Sequence, residues 1–489
     1  MLGHRVALGA ALLTALQLLT RCIDMLALVV MARLLTPADF GLVALAASVL
    51  LIASAVTDIP VAHALVQRDS IEPQDIDTAF TLNLARGLAV MLIIGLAAGP
   101  MVGIYEDARL APILYALSLV PLLTALASPA LVHFQRRIEY GPTARSQLVG
   151  KFCGVLVALA TALATHSYWA LIVGQLASAF ISTAVTYRYA PYRPRLRLGG
   201  AGDILKFTGW LTASRIISTL NLQSDRFFIG HMLGKSQLGQ YTMGSDIASI
   251  ATYTFANPIM QTMFGGFSRL QSEAGRLRAA YLKGQQVLVI FLLPLGVGLS
   301  VVADRLVPLV LGPNWDAAVT VIVWLGPVVA LQVLYLPLMS LSMAMGRPGV
   351  VTLREAINLG CRLPATLAGA WYYGLLGAVV ARSVGGAFII FLTLTLARRF
   401  LHVSVLHQLA NVGRSLASTL AMIAATLLAK HWLAPSDALA GEIANLLVFV
   451  LAGAGAYVAT HVGLWLAAGR PEGAETFVIS LARSRLGGR

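Results

Sequence analysis

The sequence predicts an all-α polytopic membrane protein of about fourteen transmembrane helices, arranged as two six-helix lobes in parallel repeat plus two C-terminal helices. Three observations predict it. Of 489 residues, 58% are hydrophobic and only 11% charged, and the mean hydropathy of +0.80 is far outside the range of soluble domains. The apolar residues gather into runs of about 20 or more, the length needed to cross the hydrocarbon core. Finally, the stretch RLLTPADFGLVALAAS (33–48) is echoed in layout by HMLGKSQLGQYTMGSD (231–246): with Leu35 set on Leu233, Gly41 falls on Gly239.

In chain order, polar or Pro/Gly-marked breaks bound the spans at about 7–32, 39–64, 79–104, 110–134, 142–165, 168–188, 206–232, 239–264, 285–311, 317–345, 350–372, 375–397, 411–432 and 443–467. The first follows only His4 and Arg5 and runs past Arg21 and Asp24 to Leu35, too long for a signal-peptide core, so it reads as an uncleaved membrane helix. The second has the clearest start. Thr36 can cap it, Pro37 suits the first helical position, and Asp39 can answer the orphan N–H groups and the helix dipole. Spans 3 to 6 complete a first lobe, and spans 7 to 12 repeat its helix count and loop lengths. Pro121 in span 4 is answered by Pro327 in span 10, and the Arg136-Arg137 break by Gly346-Arg347. Equal order and orientation make this a parallel repeat about an axis normal to the membrane; spans 13 and 14 are an addition. The expected domains are residues 1–190 (helices 1–6), a cytoplasmic amphipathic linker at 191–205, residues 206–400 (helices 7–12), and residues 401–489 with helices 13 and 14 and a basic tail. The linker stretch YRPRLRLGGAGDILK (192–206) alternates Arg with Pro or Leu, which suits a segment lying on the inner leaflet.

Counted over alternate connections together with both termini, Lys and Arg number 23 on one side of the membrane and 5 on the other. Basic loops stay cytoplasmic, so both termini are expected in the cytoplasm. The net charge of +14 is accounted for by this topology and by affinity for anionic lipid headgroups, without nucleic acid. Cys22, Cys153 and Cys361 all fall inside apolar runs and are odd in number, so neither a disulfide framework nor a CxxC metal site can be read from them. The nine histidines have no metal-like spacing, there is no GKS or GKT phosphate loop, and the loops are too small for an ATPase domain. No cofactor or metal is therefore implied, and transport must be passive or driven by an ion gradient. Aromatic clusters such as Tyr187, Tyr189 and Tyr192, or Tyr372 and Tyr373, suit interfacial belts.

Two stretches carry a resemblance to a known family: ARLLTPADFGLVALA (32–46) and TDIPVAHALVQRDSIEPQDIDTAFTLNLARGL (57–88). They resemble the N-terminal signature of bacterial polysaccharide flippases of the Wzx type, within the superfamily of multidrug, oligosaccharidyl-lipid and polysaccharide exporters. Where that family has Asp-Leu-Gly near the end of helix 2, this chain has Asp58-Ile59-Pro60, so a role for a glycine there does not carry over. The resemblance implies movement of an undecaprenyl-pyrophosphate-linked oligosaccharide from the inner to the outer leaflet of the bacterial inner membrane. It names membrane lipids and polysaccharide polymerase or export machinery as companions.

Seven basic residues remain at membrane depth, Arg21, Arg86, Lys151, Arg215, Arg226, Arg362 and Arg382, against four acids, Asp24, Asp58, Asp225 and Asp246. Each buried charge costs about 2.5–3.5 kcal/mol on insertion scales unless it is paired or wetted. A cationic surplus there suits a pyrophosphate, which Arg grips bidentately and Lys meets as a point charge. Lys151 and Arg362 occupy corresponding mid-membrane places in the two lobes, while Arg21, Arg215 and Arg226 on helices 1 and 7 are placed to meet the headgroup first. These five are the candidate substrate-binding residues. Asp24 and Asp225 are candidates to couple a proton or sodium ion, although Arg21 and Asp24, one turn apart, can also neutralise each other. Arg86 and Arg382 lie about two turns inside their helices and suit snorkelling.

These features favour a flippase working by alternating access, its lobes rocking about a central cavity. A drug or cation antiporter of the same superfamily would show an acidic interior instead. A membrane polymerase or glycosyltransferase would need catalytic groups on a sizeable outer loop, and the outer connections are all short. The chain is expected not to be an enzyme.

Overall fold

The computed structural model describes residues 2–58, 71–137, 139–199, 209–347, 349–436 and 438–471, with the single positions 61, 65, 473, 475 and 476. Among the described residues all regular structure is helical. The helices are α1 (Leu2–Leu34), α2 (Pro37–Val56), α3 (Pro73–Tyr105), α4 (Leu110–Ala125, continued by Pro129–Arg136 after a 52° bend), α5 (Gly141–Thr165) and α6 (Trp169–Tyr189). Next comes a continuous run, Gly209–Arg269, of 61 residues. At 1.5 Å per residue it is about three bilayer cores long, so it must hold two spans. The break falls at Gly234, whose φ of 84° an L side chain would strain, and it separates α7 (209–233) from α8 (235–269). After α9 (Ala274–Leu311) and α10 (Pro313–Ala344), the 53-residue run Gly349–Leu401 breaks in the same way at Tyr373 and Gly374, giving α11 (349–372) and α12 (375–401). Then come α13 (Val405–Trp432) and α14 (Leu439–Ala467), and Glu475 and Thr476 beyond them are also helical. By length and mean hydropathy, nine described helices could each cross a membrane, or ten with the bent pair taken as one.

The fourteen-helix order thus matches the sequence expectation, and the boundaries differ where polar residues extend a helix. The third begins at Pro73 instead of 79 because Glu72 and Asp75 form a capping box around its polar first turn. The ninth begins at Ala274 instead of 285, running its basic first turns beyond the apolar stretch. The second starts as expected: the Thr36 hydroxyl accepts from the Asp39 amide at 3.3 Å, and the Asp39 carboxylate accepts from the Thr36 amide at 3.0 Å. It stops at Val56, ahead of the expected 64, where the Thr57 amide donates back to the Ala53 carbonyl; Val61 and Leu65 are again helical.

The described chain divides into two compact units, Met1–Gly239 and Gln240–Arg489. The repeat seen in the sequence and these units are different divisions, since α7 belongs to the first unit.

In the first unit, small residues let helices close on one another without a hydrophobic drive, as membrane helices require. A Cβ added at Gly150 or Gly154 of α5 would come within 2.5–2.6 Å of Ser182 or Ser178 of α6, and one at Gly174 would meet Ala158 at 2.5 Å. Met31 and Leu35 of α1 pack with Ala158, Ala162 and Ala170. The linker is tied to α3: Tyr192 donates to Asp77 at 2.8 Å, Thr78 donates to the Gly199 carbonyl at 2.8 Å, and the Arg197 amide donates to Thr81 at 2.9 Å. Residues 191–198 carry no regular secondary structure, so the described part of the expected amphipathic linker is a strap held by these bonds; 200–208 lie outside the described residues.

The second unit is built on α9, α10, α13 and α14, whose core includes Leu288, Leu292, Val333, Val412, Met422 and Tyr457. Gly296 faces Ala330 and Gly326 faces Ser300, so α9 and α10 close by the same small-residue packing as α5 and α6.

The repeated motif has a structural reason. A Cβ at Gly41 would lie 1.9 Å from the Lys235 carbonyl oxygen, and one at Gly239 would lie 1.8 Å from the Pro37 carbonyl oxygen. Pro37 and Lys235 are themselves equivalent positions in the echo. The two copies therefore meet each other isologously, each glycine against the other copy's backbone.

Candidate functional site

The membrane-depth charges of the first unit form two clusters. On α5, the Lys151 ammonium is ion-paired with Asp24 of α1, the two side chains remaining 36% and 33% exposed. Asp24 therefore meets a cation from another helix, and Arg21, one turn before it, is exposed. Just beyond α2, Asp58 accepts from Arg86 of α3 at 3.2 Å and from Arg215 of α7 at 2.5 Å. The expected snorkelling of Arg86 is thus replaced by pairing across helices. On α7, Asn221, Gln223, Ser224 and Asp225 are all buried, and Ser48 of α2 donates to Gln223 at 3.0 Å. Arg226 is half-buried and turned by about 100° from Asp225, so the neighbours address different surroundings.

In the second unit, Arg362 of α11 is 6% exposed and lies along Gly385 of α12, where an added Cβ would be 3.6 Å from its Cγ. One residue missed by the sequence reading is Arg354, counted there as a connection. It is 5% exposed, donates to Thr393 at 3.1 Å and to Glu355 at 2.6 Å, and lies 3.5 Å above the Tyr335 ring. The cation–π contact and charged hydrogen bonds compensate its burial. Its signal was available: Arg354-Glu355 opens an apolar run two turns before Arg362. Arg382, also expected to snorkel, instead donates to the hydroxyls of Tyr241 and Ser245 on α8.

Between α9, α13 and α14 lies a groove of about 830 Å³ lined by apolar residues including Phe291, Met422, Phe449 and Tyr457. Its polar lining residues are few, among them Thr426, His461 and Glu475. Among the described residues no group of three or more His, Cys, Asp or Glu side chains could hold a metal ion.

At the opposite end of α7 from Arg215, Asp107 in the α3–α4 loop accepts from Arg109 at 3.0 Å and is paired with Lys235. Nearby, Tyr105 donates to the Phe227 carbonyl at 2.8 Å. Burial pushes the Asp107 carboxyl up, but the hydrogen bonds from Arg109 and Lys235 outweigh it and hold the group well below the usual carboxylate range. A depressed folded value stabilises the protein above the unfolded value of 3.8, and that stability is lost only as pH falls through the folded value. Asp107→Asn is therefore expected to cost about 1.5–3 kcal/mol. Melting temperatures in detergent should show a wild-type-to-variant gap that is flat from about pH 5 to 8 and closes only below the ordinary carboxylate range of about 4; a gap already closing near neutrality would refute the assignment.

Compared with known proteins, residues 30–320 match the family model described as polysaccharide biosynthesis protein. The lipopolysaccharide biosynthesis protein WzxC of Escherichia coli strain K12 is 25% identical over 359 residues, covering 72% of each chain. The succinoglycan biosynthesis transport protein ExoT of Rhizobium meliloti strain 1021 is 25% identical over 291 residues, 59% of each chain. Among solved structures, the lipid II flippase MurJ in an inward closed conformation superposes with a TM-score of 0.73 at 12% identity, covering 93% of this chain and 99% of that one. At that identity the likeness speaks for the fold.

Proposed function

Because the chain belongs to the polysaccharide biosynthesis protein family, whose model matches more than half of it, we propose that it is a flippase for undecaprenyl-pyrophosphate-linked oligosaccharide units, working by alternating access in the bacterial inner membrane with both termini cytoplasmic. The observation that carries the reading is the cationic surplus at membrane depth, seven Lys and Arg against four Asp. Cations in a low-dielectric setting are costly and need a counter-anion, and a pyrophosphate supplies one that can travel. Arg21, Arg215 and Arg226 receive the headgroup from α1 and α7, and Lys151 and Arg362 hold it at mid-membrane. The polyprenyl tail stays in lipid throughout, so only the charged and sugar parts need a wet path. Asp24 and Asp225 are the groups that couple a proton or sodium ion to the cycle. A polysaccharide polymerase takes over the unit on the outer side, and the chain itself catalyses no bond change.

The testing experiment is depletion of this protein in its host. Lipid-linked oligosaccharide is expected to accumulate with its sugars on the inner leaflet while polymer export stops. Accumulation on the outer leaflet would instead mark a polymerase, and unchanged export with new drug sensitivity would mark an antiporter.

A further inference from the structure

Asp58 is the one carboxylate on which two arginines from different helices converge among the ion pairs described for the first unit. Arg86 of α3 donates to one oxygen and Arg215 of α7 to the other, at 3.2 and 2.5 Å. Two guanidiniums against one carboxylate leave a surplus positive charge. The Arg215 side chain is 65% exposed while Asp58 is mostly buried, so the cluster is open on the arginine side. In addition, the Nε donor of Arg86 is buried and has no hydrogen-bond partner. This end of α2 faces the cytoplasm under the positive-inside count.

A single carboxylate offers one charge shared between two forks. A pyrophosphate offers at least two charges and oxygens enough for both, so it outcompetes the carboxylate where a monoanion does not. We propose that Asp58, Arg86 and Arg215 form the inner reception site for the substrate pyrophosphate, with Asp58 a built-in counter-anion that the incoming group displaces. The inference rests on the flippase reading and adds a selectivity device to it. While Asp58 occupies both arginines, singly charged phosphates and lipid headgroups are turned away; only a multiply charged ligand makes the exchange favourable. Arg86 becomes a binding residue, and Asp58 a positioning residue that sets discrimination.

Inorganic pyrophosphate and dimethyl phosphate, a fixed monoanion, titrated into the purified full-length protein by calorimetry, test this directly. Asp58→Asn is expected to tighten pyrophosphate binding about five- to tenfold and to tighten dimethyl phosphate binding more, shrinking the ratio between them. Arg86→Gln and Arg215→Gln should each weaken pyrophosphate about tenfold. Asp58→Glu, which keeps the charge, should retain the wild-type ratio and serves if the Asn variant does not fold. A merely structural Asp58 predicts a lower melting temperature with both affinities unchanged, and that result overturns the proposal. Repeating the titration in nanodiscs with and without phosphatidylglycerol separates the sources. Competition by that lipid against the wild-type protein would make the site a headgroup site and also overturn it. Polymer export in depleted cells carrying the wild-type gene tests the flippase reading separately, since it is indifferent to which arginines bind pyrophosphate.

Discussion

Alanine at Gly41 or at Gly239 is expected to remove most folded protein from the membrane. The added methyl would sit 1.9 Å from the Lys235 carbonyl oxygen in one case and 1.8 Å from the Pro37 carbonyl oxygen in the other. Those are backbone atoms of helix-end segments, and no rotamer change relieves them. The helices must separate by more than an ångström, losing the contacts around the crossing. Overpacking typically costs about 1–3 kcal/mol, and a clash with backbone belongs at the upper end or beyond. Because one displacement accommodates both methyls, the double variant should cost clearly less than the sum of the singles. Gly99→Ala and Gly103→Ala, where an added Cβ meets nothing within 4 Å, are the controls and should be silent. Membrane abundance and melting temperature in detergent measure the effect; wild-type melting in both single variants would show that the two copies do not meet as described.

That contact also marks what the sequence could and could not disclose. Gly41 and Gly239 were visible as an echo because both copies keep the same spacing from a leucine, and spacing is a one-dimensional property. That the glycines face each other was not visible, since a repeat fixes equivalence and leaves contact open. The helix count was legible because apolar length is set by bilayer thickness. Helix ends were less so: α3 and α9 continue into polar residues that hydropathy reads as loop, although the capping residues Glu72 and Asp75 were in plain view. The placement of α7 in the first unit follows from polar side chains such as Gln223 and Lys235 reaching Ser48 and Asp107, pairs 175 and 128 residues apart.

For the charges, composition gave the surplus and geometry gave the partners. Arg86 and Arg382 lie about two turns inside their helices, yet they donate to Asp58 and to the Tyr241 and Ser245 hydroxyls. A paired cation gains more from a buried partner than from stretching to water, because the partner too would otherwise be uncompensated. Arg354 escaped notice because the count of basic loops assigned it to a connection. Its neighbour Glu355 and the aromatic Tyr335 make burial tolerable in a way that no count of charges reveals.

Lys151→Gln is expected to abolish polymer export while leaving protein abundance near normal. The Lys151 ammonium is paired with Asp24, so the substitution deprives that carboxylate of a partner. Both side chains keep about a third of their surface exposed, and solvent screening holds the stability cost to about 1 kcal/mol or less. A loss of export of tenfold or more, about 1.4 kcal/mol of lost ligand stabilisation, therefore has to come from the missing cation. Lys151→Arg should keep partial export because the charge survives with altered geometry. Asp24→Asn alone should leave Lys151 available to the pyrophosphate and preserve binding, with any defect confined to ion coupling. The deciding variant is Lys151→Gln with Asp24→Asn, which removes the unpartnered carboxylate and restores stability. If Lys151 holds the ligand, export stays lost. If it serves only to neutralise Asp24, export returns, and the role in substrate binding must pass to the arginines of α1, α7 and α11. Exchanging the pair, Lys151→Asp with Asp24→Lys, sharpens the same distinction. It conserves the attraction and the net charge but moves the cation from α5 to α1, so normal export in that variant would show that the pair matters for charge balance alone.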